Sequence, residues 1–272
     1  MSESISNLTG FATYGLNQLL RWATTQQISF GFERSIRLHA GCFESRRALY
    51  SFAKQDLGPQ ALEFVLQQTQ AMNAPETLQL SVSRFFSAAA FVHFGFECSG
   101  DVLIGKCYLE LPAPSVDAPL ASGRLQFLGF KWSMNSNAVA VVTRYRTHAA
   151  FTWPDVEQQI LKNTGSKCRT ILGSLLADLR RIDLPEQQVF HLLEIEEEGS
   201  DRHSYDLNVY DLQRSVCDLD QHLPQIATAF ELPDAELQAW QRRFASAPIG
   251  HIATGQGRNG QPFVTLYHGD NT

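Results

Sequence analysis

Apolar and polar residues alternate with a period of two over much of this chain, and pairs of segments with helical spacing interrupt the alternation. Over 29–39, Phe30, Phe32, Ile36 and Leu38 fall on one side and Gly31, Glu33, Ser35, Arg37 and His39 on the other, with Arg34 breaking the apolar stripe. That is the pattern of an extended strand, whose successive side chains point to opposite faces. The same period predicts strands over 78–84, 89–97, 103–111, 124–132 and 138–147, and hairpins over 188–196/203–210 and 249–255/261–267. Turn residues separate them at Ser99-Gly100-Asp101, Asn135-Ser136-Asn137, Glu198-Gly199-Ser200-Asp201 and Arg258-Asn259-Gly260. Spacing of three and four residues predicts helices over 11–25, 44–56, 59–72, 154–165, 168–181, 216–229 and 234–244. The Pro/Ala/Ser-rich stretch 112–123 reads as a surface loop.

One pattern recurs at the ends of the later strands: Lys106-Cys107-Tyr108, Thr143-Arg144-Tyr145, Asn208-Val209-Tyr210 and Thr265-Leu266-Tyr267. Each puts a polar residue and a tyrosine on one face. A second pattern lies upstream: Phe30-Gly31-Phe32-Glu33, Phe94-Gly95-Phe96-Glu97 and Leu128-Gly129-Phe130-Lys131. The tyrosines are spaced by 37, 65 and 57 residues, and only the longer intervals hold a helix pair. The chain is therefore a repeat of hairpin plus two helices, with one repeat lacking its helices. About ten antiparallel strands are too many for a comfortable open sheet, and closing them into a barrel removes the edges. The fold class is α/β (α+β): a ten-stranded antiparallel barrel with a polar lumen, wrapped by helix pairs. The barrel domain spans 29–268, after an N-terminal helical segment (1–28) and before a short tail (269–272).

Strand alternation decides which face is inside. Val92, Phe94 and Phe96 make one stripe and His93, Gly95 and Glu97 the other; Cys107, Leu109 and Leu111 oppose Lys106, Tyr108 and Glu110. Turning the charged stripe under the helices would cost several kcal/mol per unpaired ion, so Glu, Lys, His and Tyr line the lumen. A net charge of −6 argues against a general nucleic-acid binder. Only five residues are lysine, and two of them, Lys106 and Lys131, sit in the recurring strands. Five scattered cysteines without metal spacing suit reduced thiols in a cytoplasmic protein. The polar start lacks the features of a signal peptide, and no stretch has the length of a membrane span.

Hairpin–helix–helix repeats closing a ten-stranded barrel resemble the aromatic prenyltransferases of the ABBA, or PT-barrel, fold. Gly31-Phe32-Glu33-Arg34-Ser35 resembles the first-strand Glu-x-Ser of the indole-prenylating branch. Phe94-Gly95-Phe96-Glu97 with Lys106-Cys107-Tyr108-Leu109-Glu110-Leu111-Pro112 is similar to its second hairpin, and Asn259 to Tyr267 to its last. The chain is short for that branch, and Thr or Asn stands where basic residues are expected. A small barrel open at one end also resembles the cyanobactin-type peptide prenyltransferases.

The resemblance implies transfer of a dimethylallyl or geranyl group from an allylic diphosphate to an electron-rich aromatic acceptor, a small molecule or a peptide side chain. Cations must hold the diphosphate: Lys106 and Lys131 first, then Arg37 and Arg144. Arg144 and Tyr145 cannot both face inward on a regular strand, and alignment with the other copies favours Tyr145. Aromatic faces must shield the allylic cation from water: Tyr108, Tyr145, Tyr210 and Tyr267. A base must orient and deprotonate the acceptor: Glu33, by resemblance, or Glu97. No DDxxD or NDxxD motif points to a metal; whether magnesium assists is left open. The run Glu194, Glu196, Glu197 and Glu198 reads as a solvated turn. Two other readings stand. One is a non-catalytic barrel that binds an anionic or aromatic small molecule. The other is an assembly factor whose lumen is closed by Glu–Lys and Glu–Arg pairs.

Overall fold

The computed structural model describes residues 19–112, 123–136, 141–148, 152–162, 164, 166–180 and 191–269. All but the two ends of the expected loop 112–123, the first part of the helix 11–25 and most of the tail lie outside the described residues. Eleven strands form one sheet: β1 (Gly31–His39), β2 (Cys42–Glu44), β3 (Arg47–Ala53), β4 (Phe91–Ser99), β5 (Val102–Glu110), β6 (Leu125–Ser133), β7 (Val141–His148), β8 (Leu192–Glu197), β9 (His203–Asn208), β10 (Ile249–Gln256) and β11 (Pro262–His268). Each pairs antiparallel with its neighbour, and β11 returns to β1 through Ser35–Tyr267 and Arg37–Thr265. Ten strands therefore close a barrel, while β2 folds back on β1 as a short flap.

Three helix pairs fill the connections: α1 (Ala61–Ala71) and α2 (Glu76–Phe86), α3 (Trp153–Lys162) and α4 (Ser166–Leu179), α5 (Leu223–Phe230) and α6 (Asp234–Arg243). No described residue between β5 and β7 is helical, as the tyrosine spacing predicts. Two apolar layers lie between barrel and helices. Phe52, Phe94, Leu109 and Phe130 meet α1 and α2; Leu38, Leu192, Leu207 and Ile252 meet the other four helices. Within the first layer Phe64 of α1 stands edge-on to Phe94 at 6.1 Å and to Phe52 at 6.4 Å.

Two expected elements are exchanged. Residues 44–56, expected as helix, hold the last residue of β2, all of β3 and most of a 3-10 turn; 78–84, expected as strand, lies within α2. The count of ten survives because the two errors cancel. Leu49 on the lumen face masks the alternation of β3, and Ala48, Leu49 and Phe52 mimic helical spacing. In α2, Leu78, Val82 and Phe86 are buried at the helical interval whereas Leu80 is 66% exposed, so the period of two is incidental.

The recurring glycines follow from barrel packing. Gly95 lies opposite Lys106, and Gly129 opposite Tyr108. A Cβ on Gly129 would meet the Tyr108 ring at 2.8 Å and the Tyr145 ring at 3.2 Å; on Gly95 it would meet Lys106 at 3.1 Å. Glycine lets large lumen side chains lie flat across the neighbouring strand. Phe94→Ala empties the centre of a helix–barrel layer and is expected to destabilise by about 3–5 kcal/mol, measured by denaturant unfolding; a loss under about 1 kcal/mol would show that the layer is not the main support.

Candidate functional site

The lumen is divided by charge. In its middle, Glu97 on β4 accepts hydrogen bonds from Arg47 on β3 (Nη2–Oε1, 2.6 Å) and from Lys106 on β5. Arg47 also donates to Ser35 at 3.1 Å and approaches Glu44 at 3.5 Å. Arg47 and Glu97 line both the cavity above, of about 480 Å³, and the cavity below, of about 450 Å³.

The lower half is cationic. Arg37, Arg47, Lys131, Arg202 and Arg258 line it, and Lys106 faces Lys131 across the β5–β6 pair. The carboxylates among them are Glu44, Glu97 and Glu197, three against six cations. Burial, then repulsion from Arg47 and the other cations, holds Lys106 well below the usual lysine range. Burial followed by Arg202 does the same to Lys131, and burial followed by Arg47 and Arg202 pushes Arg37 down to about 9. The Arg37 guanidinium stacks on Phe263 at 3.9 Å. Burial pushes the Glu197 carboxyl up, yet the Arg258 hydrogen bond and the Arg202 charge prevail and hold it at about 2.

The upper half is aromatic with carboxylates at its wall. Tyr108, Tyr145, Tyr210 and Tyr267 all line it, with Phe127, Leu49 and Leu193. Tyr108 and Tyr145 meet edge to face at 5.8 Å. Burial raises all four phenols, so they stay neutral at physiological pH. Tyr210 comes from a 3-10 turn after β9, and Gly250, at a β10 bulge, gives its ring room. Tyr210 donates its hydroxyl to Glu33. His251 bonds Asp206 at 2.8 Å and lies 3.9 Å from Glu33. Burial pushes this imidazole down, but Asp206 and then Glu33 outweigh it and raise it to about 9. Across the cavity, His93 bonds Ser51 at 2.7 Å and Glu110 at 3.0 Å.

Of the residues expected from sequence, Glu33 and the four tyrosines share the upper half, Arg37 and Lys131 line the lower, and Glu97 and Lys106 stand at the divide. Arg144 is not brought to the lumen: it points outward and pairs with Glu198. Glu197 is not the solvated turn residue expected, since its inward side chain is almost wholly buried against Arg202 and Arg258. Its neighbours Glu194, Glu196 and Glu198 pair with His203, Arg146 and Arg144. Sequence reasoning missed Arg47, which lay in a presumed helix, Arg202, which fell between a presumed turn and strand, and Arg258, taken as a turn residue. The alternation Arg202, Ser204, Asp206, Asn208 carried the signal for Arg202. The lumen is not closed by its ion pairs, as an assembly factor would require, because both cavities persist beside them.

Among the described residues, His39, Cys42 and Glu44 are the one cluster whose ligand atoms lie within 4.8 Å of one another. This mixed nitrogen, sulfur and oxygen set is not the oxygen shell that magnesium takes. Glu44 is moreover engaged by Arg47 and Ser99.

Removing the central carboxylate strips Lys106 of its counter-ion and leaves Arg47 only the more distant Glu44. Glu97→Gln is expected to cost about 3–5 kcal/mol, and millimolar inorganic pyrophosphate should recover part of the lost melting temperature. A variant as stable as the parent, or one indifferent to pyrophosphate, would contradict this charge balance.

No protein-family model and no curated protein matches the sequence. Solved structures do. The 5-dimethylallyltryptophan synthase from Streptomyces coelicolor superposes with TM-score 0.63 at 12% identity, covering 98% of this chain and 94% of that one. PriB in ternary complex with L-tryptophan and dimethylallyl thiolodiphosphate gives 0.62 at 15%, covering 98% and 92%. The 6-dimethylallyltryptophan synthase from Micromonospora olivasterospora gives 0.57 at 16%, covering 88% and 81%. No helix among the described residues is long and apolar enough to cross a membrane. With its closed ten-stranded barrel and helix pairs, the chain has the ABBA, or PT-barrel, fold of the aromatic prenyltransferases.

Proposed function

We propose that this protein transfers a dimethylallyl or geranyl group from its diphosphate to an electron-rich aromatic acceptor. The observation that carries the reading is a cationic half-lumen opening directly beneath a tyrosine-lined one. PriB, of the same fold, binds a dimethylallyl diphosphate analogue together with L-tryptophan, which supports the substrate classes.

The diphosphate occupies the lower half, against Arg37, Arg47, Lys106, Lys131, Arg202 and Arg258. Three buried donors there or beside it, Thr143 Oγ1, Ser204 Oγ and Arg202 Nε, have no hydrogen-bond partner, and phosphate oxygens would supply one. These fixed cations stabilise the charge that builds on the leaving group as the C–O bond breaks and its electron pair moves onto oxygen. The allylic cation forms among Tyr108, Tyr145, Tyr210 and Tyr267, whose π-faces stabilise it and whose rings exclude water. An aromatic carbon of the acceptor attacks, a C–C bond forms, and transfer of the ring proton to the released diphosphate or to water restores aromaticity. Glu33 holds the acceptor's N–H or O–H and draws off its positive charge. Glu97 is tied to Arg47 and Lys106, which suits it to positioning Lys106 rather than to taking a proton. Arg144, on the outer face, has no part in this scheme.

Calorimetric titration with dimethylallyl thiolodiphosphate, with and without magnesium, tests the diphosphate site. Micromolar binding is expected for the parent and at least tenfold weaker binding for Lys106→Ala. Incubation with dimethylallyl diphosphate and a panel of indoles and phenols should give prenylated product, reduced about 100-fold or more in Glu33→Gln, as loss of a general base predicts. Absence of analogue binding by the parent would overturn the reading. Binding without any product would favour a barrel that carries its ligand without reaction.

A further inference from the structure

The upper half of the lumen holds more negative charge than its hydrogen bonds consume. Glu33, Glu110 and Asp206 come from β1, β5 and β9 and converge on one cavity. Each has one engaged oxygen: Glu33 Oε1 with Tyr210, Glu110 Oε2 with His93, and Asp206 Oδ1 with His251. Their second oxygens have no hydrogen-bond partner among the described residues. Arg47 and Lys106, at the floor of the same cavity, are both tied to Glu97. The remaining cation at this wall is His251, and Asp206, Glu33 and Glu110 together keep its imidazole protonated. Over the whole cavity three cations, Arg47, Lys106 and His251, face four carboxylates, Glu33, Glu97, Glu110 and Asp206, and at the aromatic wall itself one cation faces three, which leaves a surplus of negative charge there.

We propose that the acceptor is an aromatic compound bearing a cationic nitrogen, an amine or a guanidine, seated among Glu33, Glu110 and Asp206, and that acceptors whose only charge is a carboxylate are turned away. The inference rests on the prenyl-transfer reading only in placing the acceptor in the upper half; the charge preference is a property of binding alone. A cation within hydrogen-bond reach of these carboxylates replaces water at oxygens that have no protein partner. An anionic acceptor would lose its own hydration and meet like charge. In a half-buried site that difference is large enough to select partners. The opposite sign of the lower half keeps the two substrates in separate ends: the diphosphate is repelled from above and the acceptor's cation from below.

The test compares ligands that differ only in charge, in two ring series. Tryptamine, 3-ethylindole and indole-3-propionate form one; tyramine, 4-ethylphenol and 3-(4-hydroxyphenyl)propionate form the other. Affinities are measured by calorimetry with and without saturating pyrophosphate. In at least one series the amine should bind about tenfold tighter than the neutral compound, and the carboxylate more weakly than either. Raised salt should shrink the advantage. Glu110→Gln should reduce it, and Glu33→Gln combined with Asp206→Asn should abolish it. If the double variant fails to fold, Glu110→Gln and the salt series decide. Equal affinities within both series, a preference for the carboxylate, an amine advantage that survives these variants, or no amine binding at millimolar concentration would each overturn the proposal. The pyrophosphate titration separates this outcome from the function: a barrel that binds pyrophosphate without preferring amines loses only the charge preference. One that prefers amines and ignores pyrophosphate loses the transfer reading instead.

Discussion

Glu97 bonded to Arg47 and Lys106 in the middle of the barrel is the interaction on which the rest depends. A buried carboxylate between two cations is not a strong source of stability, because desolvating three charges offsets most of their attraction. What it supplies is position. Lys106 is drawn flat over Gly95 and held opposite Lys131, and Arg47 is held between Ser35 and Glu44. Three adjacent strands, β3, β4 and β5, are locked in the register that puts the cations at one level and the tyrosines above them. Six cations against three carboxylates then leave the lower half short of negative charge, and the depressed lysines and Arg37 express that deficit. A site in this condition gains from a polyanion more than from water.

The upper half follows from the same alternation carried one step further along each strand. Two residues beyond Lys106 stands Tyr108, two beyond Thr143 stands Tyr145, and two beyond Thr265 stands Tyr267. The layer of polar groups and the layer of rings are one repeat of two residues apart. The proposed places of leaving group and allylic cation are therefore adjacent by construction, and the helices outside keep ten strands in that register.

Much of this was legible in the sequence. Repetition exposed the tyrosines, the inward lysines and the helix pairs, because alternation fixes a face wherever the other face is apolar. It failed where a lumen residue is itself apolar, as Leu49 is, and so β3 and Arg47 were lost together. It failed again at strand ends: Glu197, Arg202 and Arg258 sit at turns, where polar residues are ordinary and nothing local distinguishes an inward cation from a solvated one. Arg144 shows the converse. Its charge suggested the lumen, while its parity, one residue from Tyr145, put it outside. The partners of Glu33 were out of reach, since Tyr210 lies 177 residues away and arrives through a 3-10 turn.

The central claim is that the lower lumen is a preformed, under-neutralised cation cluster awaiting a diphosphate. The most direct measurement is the proton uptake that accompanies binding of dimethylallyl thiolodiphosphate. It is obtained by calorimetry in buffers of different ionisation enthalpy, at a pH where the diphosphate is fully ionised. Negative charge arriving beside Lys106 and Lys131 raises their affinity for protons, so the account predicts that any net exchange is uptake, diminished in Lys106→Ala. Release of protons, or uptake unchanged in Lys106→Ala, would contradict it.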